Sequence, residues 1–495
     1  MLATVFLTTV LAAAPARSPA TADDWLITGV TVIPTDTEEV WPQRDVRIRD
    51  GRIASIEAAA PKPRARGATI IDGRGKFLVP GFVDAHVHIA TEAAIHARRD
   101  PVLATLPFPE DRSYERQILL SFLKAGVTGA ANLGGNAAGD AALLQLRDDV
   151  AAGRLAGPQL FVGKRIDGPR DHVADAPDTP APASTPEAPT TPADGAAAVR
   201  EAARRGYDFI KPYQFLDRET YRAIVDTAQA LRLPTTGHLP ELDCAICADR
   251  AFVFAHPMTN IAHAEELARY AQTSDLSAAD VDALTEAVVR ARSGVTPTLI
   301  TLKTIVLQYR EHQAPAVPAG WETLVDPLTQ RDWQPPRNRY LSAEFRAQPG
   351  MERLPAAYDF ARVLTRALWK RAVPLTTGTD ALMPGLLYGA SLQQEMRELH
   401  AIGMSPLEVL RAASLNARRL FAASAGSGAV RRGQRADLVL LDADPLADID
   451  NAARIAGVFV AGRWLPITRI DAELADLAAR NATLESVLRA ADAVR

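Results

Sequence analysis

The stretch of sequence that decides the fold spans residues 79–88 and reads VPGFVDAHVH. Its apolar residues predict a buried β-strand that ends in the pair His86 and His88. Side chains alternate between the two faces of a strand, so both imidazoles point the same way and can share one metal ion. A single His-x-His pair is a weak indication, and the ends of the other predicted strands must decide whether a metal site exists.

Beyond this strand, apolar segments alternate with helical ones, which is typical of βα units around a parallel sheet. We predict an α/β fold, a (β/α)8 TIM-like barrel over residues 81–420, with its chemistry at the carboxyl ends of the strands. The eight strand candidates are residues 82–88, 127–133, 159–163, 209–213, 235–239, 252–256, 295–300 and 375–380.

The segments on either side of the predicted barrel read as short strands joined by turns. Val46 and Ile48 alternate with charged residues ahead of the turn at Asp50 and Gly51, as in a half-buried antiparallel strand. The sequence ADLVLLD at 436–442 predicts a matching strand near the other end. We predict that residues 25–80 and 426–470 build one small β-sandwich domain, followed by a C-terminal helix over 471–495.

Further candidate ligands stand at the ends of other predicted strands. From the fourth, fifth, sixth and eighth strands in turn, they are Lys211, His238, His256 and Asp380. Each has a structural alternative: a surface lysine, a hydrogen-bonded core histidine, or an aspartate that caps the next helix. Together with the pair on the first strand, their placement at the ends of different strands favours a metal site.

Two segments interrupt the alternation of strands and helices. Residues 175–194 are rich in Pro, Ala and Thr and predict a mobile loop after the third strand. Residues 302–355 carry Trp321, Trp333 and Tyr340 and predict a helical lid. Its aromatic side chains either supply binding surface or pack the insertion on itself.

Residues 79–88 resemble the first-strand motif of the amidohydrolase superfamily, and the resemblance extends to nearly all of the chain after its N-terminus. Residues 126–128 (GVT) resemble its second strand, 295–299 (VTPTL) its seventh, and 435–439 (RADLV) its C-terminal sandwich. Within the superfamily the sequence is similar to imidazolonepropionase-like, prolidase-related amidohydrolases. Several of these remove C-terminal amino acids from dipeptides or N-acyl amino acids.

The resemblance implies a site for two divalent metal ions. It assigns the more buried ion to His86, His88 and Asp380, and the more exposed ion to His238 and His256. Lys211 would bridge the ions as a carbamate, N6-carboxylysine, because a free ammonium has no lone pair to donate. Imidazole and carboxylate ligands suit zinc. Imidazolonepropionase itself lacks this lysine and uses one metal, so Lys211 favours the two-metal branch.

The implied mechanism is attack by a metal-bound hydroxide on an amide carbonyl. Asp380 would accept the proton and pass it to the departing nitrogen. Tyr213, on the same strand face as Lys211, is a candidate donor to the developing oxyanion, with ordinary packing in the barrel as its alternative.

We therefore expect a metal-dependent hydrolase that cleaves a carbon–nitrogen bond of a small peptide or N-acyl amino acid. Opening of a cyclic amide or lactone is the alternative within enzymes, and deamination of a purine-like ring is a weaker one. A non-catalytic metal-binding barrel is the alternative from another class, although such a protein would be expected to lose ligands that remain here. Relatives often form homo-oligomers, and this is an analogy only.

Composition narrows the choice of partners. The 495 residues are 47% hydrophobic and 23% charged, with a net charge of -4. This balance gives no sign of a nucleic-acid partner or of binding to an anionic membrane. The expected partner is a small molecule or dipeptide.

The N-terminus predicts export. An apolar run from Met1 to Ala14 precedes small residues, which is typical of a signal peptide over residues 1–20 with cleavage near Ala16 to Ala20. The run is shorter than the roughly 20 residues that span a bilayer. A periplasmic or secreted location follows, with an unstructured N-terminus as the alternative, because no Lys or Arg precedes the run.

The cysteines are Cys244 and Cys247. Their spacing permits a small disulfide in an oxidising compartment, or two unpaired thiols on one helix face. Two thiols alone cannot complete a tetrahedral zinc site, so we assign them a structural role.

Overall fold

The structure is a computed structural model of the 495-residue chain. It describes residues 24–62, 65, 67–91, 112–134, 137–169, 188–241, 248–271, 276–381, 383–421 and 428–493. The predicted signal peptide, most of the predicted loop after the third strand, and both cysteines lie outside the described residues.

Strands from both ends of the chain form one eight-stranded sheet in the order β15-β14-β13-β5-β1-β2-β3, with β4 paired to β1. Its strands are β1 (Trp25–Val32), β2 (Trp41–Arg49), β3 (Arg52–Ala58), β4 (Thr69–Asp72), β5 (Phe77–Pro80), β13 (Leu438–Leu441), β14 (Ile455–Val460) and β15 (Arg463–Pro466). The pairing of β13 with β5 is antiparallel and joins the two ends of the chain. The prediction that these segments associate agrees with this pairing.

This sheet differs from the predicted sandwich because its strands hydrogen-bond into a single sheet. The edge strand β3 returns to the segment before β13, where Arg52 and Arg435 form a bridge and the Ile53 amide donates to the Gln434 carbonyl at 3.0 Å. The sheet encloses a core of its own that includes the fully buried Ile27 and Phe459. A curled sheet thus provides the two facing layers that a sandwich would supply.

The barrel strands are parallel and are hydrogen-bonded in two groups, β6-β7-β8-β9 and β10-β11-β12. They are β6 (Phe82–Val87), β7 (Val127–Asn132), β8 (Gln159–Ile166), β9 (Phe209–Pro212), β10 (Thr236–Gly237), β11 (Asn260–Ala262) and β12 (Gly294–Thr296). Single bridges join β9 to β10, β12 to Leu375, and Ala381 to β6. Residues 375–381 therefore complete a circuit of eight parallel segments, as expected for a TIM-like barrel.

The predicted sixth strand, residues 252–256, is wrong. The Asp249 side chain accepts from the Phe252 amide at 2.8 Å, and this cap begins a helix over Arg250–Ala255. The strand at this position is β11, which follows the helix. Its Asn260 amide donates to Thr236 and Thr296 on the flanking strands, so a polar residue occupies the barrel interior where an apolar run was sought.

The described helices cover the barrel and its insertions. They are α1 (Ser113–Lys124), α2 (Ala137–Ala151), α3 (Pro192–Arg204), α4 (Arg218–Ala230), α5 (Arg250–Ala255), α6 (Ala278–Ala291), α7 (Leu299–Glu311), α8 (Pro327–Asp332), α9 (Ala343–Ala347), α10 (Leu354–Lys370), α11 (Ala390–Ala401), α12 (Pro406–Arg411), α13 (Ala417–Phe421) and α14 (Ile467–Ala493). No described helix is long and apolar enough to cross a membrane.

Several boundaries differ from those predicted, among them the start of the C-terminal helix at Ile467 instead of residue 471. The loop predicted to end at Asp194 ends earlier, because the Thr191 hydroxyl accepts from the Asp194 amide at 3.2 Å and caps α3. The seventh strand ends at Thr296 instead of residue 300, and α7 starts at Leu299. The predicted insertion over 302–355 is helical, built from α7, α8, α9 and short 3-10 turns.

Candidate metal centre

The carboxyl end of β6 is fastened to the eighth barrel segment by Asp84. This fully buried carboxylate accepts from the Thr379 hydroxyl at 2.7 Å and from the Thr379 amide at 3.1 Å. It also accepts from the His86 amide at 3.2 Å. Burial raises the pKa of Asp84 to about 7. Asp84 thereby positions His86 next to Asp380.

His86, His88 and Asp380 converge at this end of the barrel, with ligand-type atoms that all lie within 4.8 Å of one another. Asp380 Oδ1 lies 3.3 Å from His86 Nε2 and 3.1 Å from His88 Nε2. Asp380 has φ 52, a left-handed conformation that is uncommon outside glycine and often found at functional sites. The tertiary structure thus brings together the first ligand set that the sequence predicted.

Charge and burial determine the protonation of this group. Burial opposes ionisation of Asp380, but the adjacent His86 and His88 hold the pKa of its carboxyl well below the usual value. Burial lowers the pKa of His86 well below its ordinary value. A carboxylate beside the neutral imidazole of His86 is a protonation state that can bind a metal.

His238 and His263 lie beside this group. The ring of His263 has its centroid 4.4 Å from that of His86 and 4.7 Å from that of His238. Burial lowers the pKa of His263 to about 3, and that of His238 well below its usual range. His263 follows β11 directly, which explains why it points into the mouth of the barrel.

The structure does not bring His256 to this cluster. It lies at the end of α5, where its ring contacts Phe252 at a centroid distance of 4.8 Å and its Nδ1 is 3.8 Å from Asp226. The structure therefore places His263, and not the predicted ligand His256, beside His86 and His238, because the strand here is β11. The signal for His263 was its place directly after the short apolar pair Ile261 and Ala262, which the search for a longer run overlooked.

Lys211 projects from β9 and is 1% exposed. Burial lowers the pKa of its amine to about 8, although the charge of Asp380 opposes this shift. The neutral amine is the form that can react with carbon dioxide. Burial is the main cause of the low pKa values of His86 and His238. The charge of the nearby Lys211 lowers both values further.

Tyr213 lies between Lys211 and His238. Its ring centroid is 4.3 Å from that of His238, and Lys211 Nζ is 5.1 Å from the centre of the Tyr213 ring. Burial raises the pKa of the phenol to about 12, so the hydroxyl is protonated at neutral pH and can donate.

Two glycines make room for these side chains. A Cβ at Gly378 would approach the Cβ of His86 to 2.8 Å, and a Cβ at Gly237 would approach Lys211 Cγ to 3.1 Å and the Pro212 carbonyl oxygen to 2.2 Å. A larger residue at either position would force the neighbouring strand outward. The crowded mouth of the barrel thus depends on small residues beside the large polar ones.

The helical insertion reaches the site only in part. Trp333 is buried in a cluster with Val325 and Leu387, and Trp321 packs beside it, so these tryptophans hold the insertion together. Burial raises the pKa of Tyr340, which also experiences the charge of Asp380. Tyr340 is therefore the predicted aromatic residue of the insertion that lies near the candidate metal centre.

The donor set fits a metal centre. Both ring nitrogens of the fully buried His86 lack a hydrogen-bond partner among the described residues, as does His238 Nδ1. Buried polar atoms normally have partners, and an ion would satisfy His86. The nitrogen and oxygen donors present here are those that zinc prefers.

Comparison with known proteins agrees with this geometry. Residues 77–465 match the Amidohydrolase family. A solved Xaa-Pro dipeptidase superposes with a TM-score of 0.65 and 17% identity, covering 90% of this chain and 100% of the other. The bottromycin amidohydrolase superposes with a TM-score of 0.66 and 23% identity, covering 92% and 90%.

Among curated proteins, the adenine deaminase of Paracoccus denitrificans is 38% identical over 76 residues. This match covers 15% of the chain and only 12% of that relative's length. So short a match does not indicate which substrate this chain acts on. The family match covers the barrel and the strands of the curled sheet from β5 onward, and the chain accordingly belongs to the amidohydrolase family.

Proposed function

We propose that this enzyme hydrolyses the amide bond of a small peptide or N-acyl amino acid, using a site for two divalent metal ions. In this proposal one ion is bound by His86, His88 and Asp380, and the other by His238 and His263. Lys211, as a carbamate, would supply further ligand oxygens. His263 takes the role that the sequence interpretation gave to His256, because it lies within the cluster and His256 does not.

When bound, such ions lower the pKa of a water molecule toward neutrality and polarise a carbonyl group. The protein supplies the proton transfers. Asp380 is ionised and next to both first-strand histidines, so it can accept the proton of the attacking water and return it to the leaving nitrogen. Tyr213, protonated and beside His238, can donate to the carbonyl oxygen as negative charge develops there.

The single observation that carries the proposal is the convergence of Lys211 with the two histidine groups at one end of the barrel. A fully buried lysine without a nearby hydrogen-bonded carboxylate is costly as an ammonium. Conversion to a carbamate would remove the cation and supply ligand oxygens. The solved dipeptidase and bottromycin amidohydrolase of the same fold support a peptide-like substrate.

The test is metal content measured on protein purified without added metal, combined with hydrolysis of a panel of dipeptides and N-acyl amino acids. The panel should include adenine, a cyclic amide and a lactone. About two ions per chain, lost together with amide hydrolysis in Lys211→Ala, is the expected result. Equal activity in Lys211→Ala would contradict the carbamate, and turnover confined to adenine or to cyclic substrates would contradict the proposed substrate class.

A further inference from the structure

Arg165 is a cation at the mouth of the barrel that the mechanism above does not use. It lies near the end of β8, directly opposite Lys211 in the pairing with β9. Residues opposite each other in a parallel pair project from the same face, and alternation along β9 places Tyr213 there too. Arg165 Cζ lies 4.9 Å from the centre of the Tyr213 ring.

The main chain of Arg165 is held between two parts of the candidate metal centre. Gly134, with φ +85, is so close that a Cβ there would lie 2.9 Å from Arg165 Cβ. The Gly134 carbonyl oxygen accepts from His88 Nδ1 at 2.9 Å. Arg165 is thus packed between the loop that orients His88 and the strand that carries Lys211.

Among the residues that the structure describes, no carboxylate forms an ion pair with the Arg165 side chain. Neighbouring cations have partners: Lys164 Nζ lies 2.9 Å from Asp140, and Arg269 lies 2.7 Å from Glu266. The half-buried Arg165 makes no ion pair or hydrogen bond with any residue in the described ranges, and the aromatic face of Tyr213 is its observed contact. This leaves the donors of the guanidinium available to a ligand.

We propose that Arg165 binds a carboxylate of the substrate, so that the enzyme selects amides whose leaving amino acid carries a free carboxylate. The inference rests on the proposed function and names the substrate class of the same site. A guanidinium presents paired N–H donors that match a carboxylate. The Arg165 guanidinium lies over the face of the Tyr213 ring, with Cζ 4.9 Å from the ring centre. The same contact would place the scissile amide beside the Tyr213 hydroxyl and the metal ligands.

The test compares an N-acyl amino acid with the matching carboxamide, which lacks the carboxylate. The wild-type enzyme should prefer the acid. Arg165→Met should raise KM for the acid by roughly 10- to 100-fold, the range expected when a hydrogen bond to a charged group is lost. Its kcat for the acid and its KM for the carboxamide should change little. Arg165→Lys should restore part of the difference, because a lysine keeps the charge without the paired donors.

Arg205→Met is the matched control, because Arg205 also stacks on a tyrosine, with its Cζ 5.5 Å from the Tyr207 ring, but is exposed outside the mouth of the barrel. It should leave KM unchanged. If Arg165→Met loses metal, Arg165 supports Lys211 instead of the substrate, and the proposal is overturned. If Arg339→Met, beside Tyr340 in the insertion, raises KM while Arg165→Met does not, the cation lies elsewhere and the proposal is also overturned.

Binding without turnover separates this inference from the proposed function. An N-sulfonyl amino acid resists hydrolysis, and its affinity for the metal-loaded protein can be measured by calorimetry against its carboxamide. Tighter binding of the acid that disappears in Arg165→Met supports the anion site even if no amide in the panel is cleaved. Equal affinities in wild type and Arg165→Met overturn it, whatever the outcome of the hydrolysis panel.

Discussion

Two histidines of the candidate site have one ring nitrogen hydrogen-bonded to a neighbouring oxygen. His238 Nδ1 lies 3.2 Å from Glu266 Oε1 without the geometry of a hydrogen bond. His88 Nδ1, by contrast, contacts the Gly134 carbonyl at 2.9 Å, and His263 Nδ1 contacts the Thr298 hydroxyl at 2.7 Å. Such partners set the orientation of the ring and leave Nε2 for an ion. The orientation of each of these imidazole rings is therefore set by its own immediate neighbour.

The assignment of His263 predicts a clear contrast between two histidine variants. His263→Ala should lose about one metal ion per chain, and activity should fall by more than the ~10- to 100-fold that outer-shell changes typically cost. His256→Ala should change neither, because its ring lies away from the cluster. Elemental analysis and amide hydrolysis on both proteins check this, and the reverse pattern would return the role to His256.

A second residue-scale prediction concerns Glu266, which links His238 to Arg269. Glu266→Gln removes the negative charge that strengthens the imidazole as a ligand. Affinity for the more weakly bound ion should fall by about 10- to 100-fold, while fold and helix content are kept. Competition with a metal chelator measures this affinity. Glu286→Gln, which removes an exposed carboxylate paired with Arg371, is the control and should have no effect.

At the scale of elements, helix α7 connects to both sides of the metal centre. Its first amides, on Leu299 and Ile300, donate to the buried Glu395 of α11 at 3.2 and 2.8 Å. The Thr301 hydroxyl donates to the Thr379 carbonyl at 2.9 Å, next to Asp380. Thr298, which precedes the helix, contacts His263. The position of α7 is therefore coupled to ligands on two strands.

Glu395 predicts a pH-dependent contribution to the stability of this arrangement. Burial raises its pKa to about 8, and the charge of Glu398 adds to the shift. Because the folded-state pKa is above the unfolded one, the wild-type protein should lose stability as pH rises toward 8. The Glu395→Gln variant cannot ionise at this position. Its free energy of unfolding should therefore rise relative to that of the wild type as the pH increases from 5 to 8.

Urea unfolding of both proteins at several pH values measures this difference. A constant difference across the range would mean that Glu395 is ionised in the folded state, held by the two amides of α7. Arg397→Gln is a suitable control on the exposed side of α11, where Arg397 pairs with Asp450. Its effect should not depend on pH in this window.

At the scale of the whole molecule, Arg418 joins the barrel to the curled sheet. Its side chain is 1% exposed and donates to Gln159 Oε1 at 2.6 Å and to the Thr128 carbonyl at 3.0 Å, both on barrel strands. It also lies 3.5 Å from Asp437 beside β13. One buried guanidinium thus holds strands from distant parts of the chain.

Arg418→Met should destabilise the whole protein without altering the metal centre. Removing one partner of a buried charged network typically costs about 3 to 5 kcal/mol. Here Asp437 loses a nearby cation, and the Thr128 carbonyl loses a hydrogen-bond donor. Denaturant unfolding should show this loss, while metal content at low temperature stays at the wild-type value. A loss of metal without a loss of stability would mean that Arg418 acts on the site.

The sequence alone determined the first-strand motif, Lys211, His238 and Asp380, because each lies in a local pattern where strand alternation sets the direction of the side chain. The first-strand motif also supported the resemblance to the family that the match over residues 77–465 confirms. The same reasoning predicted that segments from both ends of the chain associate. Local patterns sufficed where the predicted segment contained the strand that the structure shows.

Only the tertiary structure decided which histidine completes the cluster. The strand before His263 contains Asn260, Ile261 and Ala262, and it is stable because Asn260 is hydrogen-bonded by threonines on both flanking strands. The more apolar segment before it became a helix because Asp249 capped it. The contact of Arg165 with Tyr213 is likewise a property of its surroundings. Pairing partners distant in sequence decide such features, and no local pattern reports them.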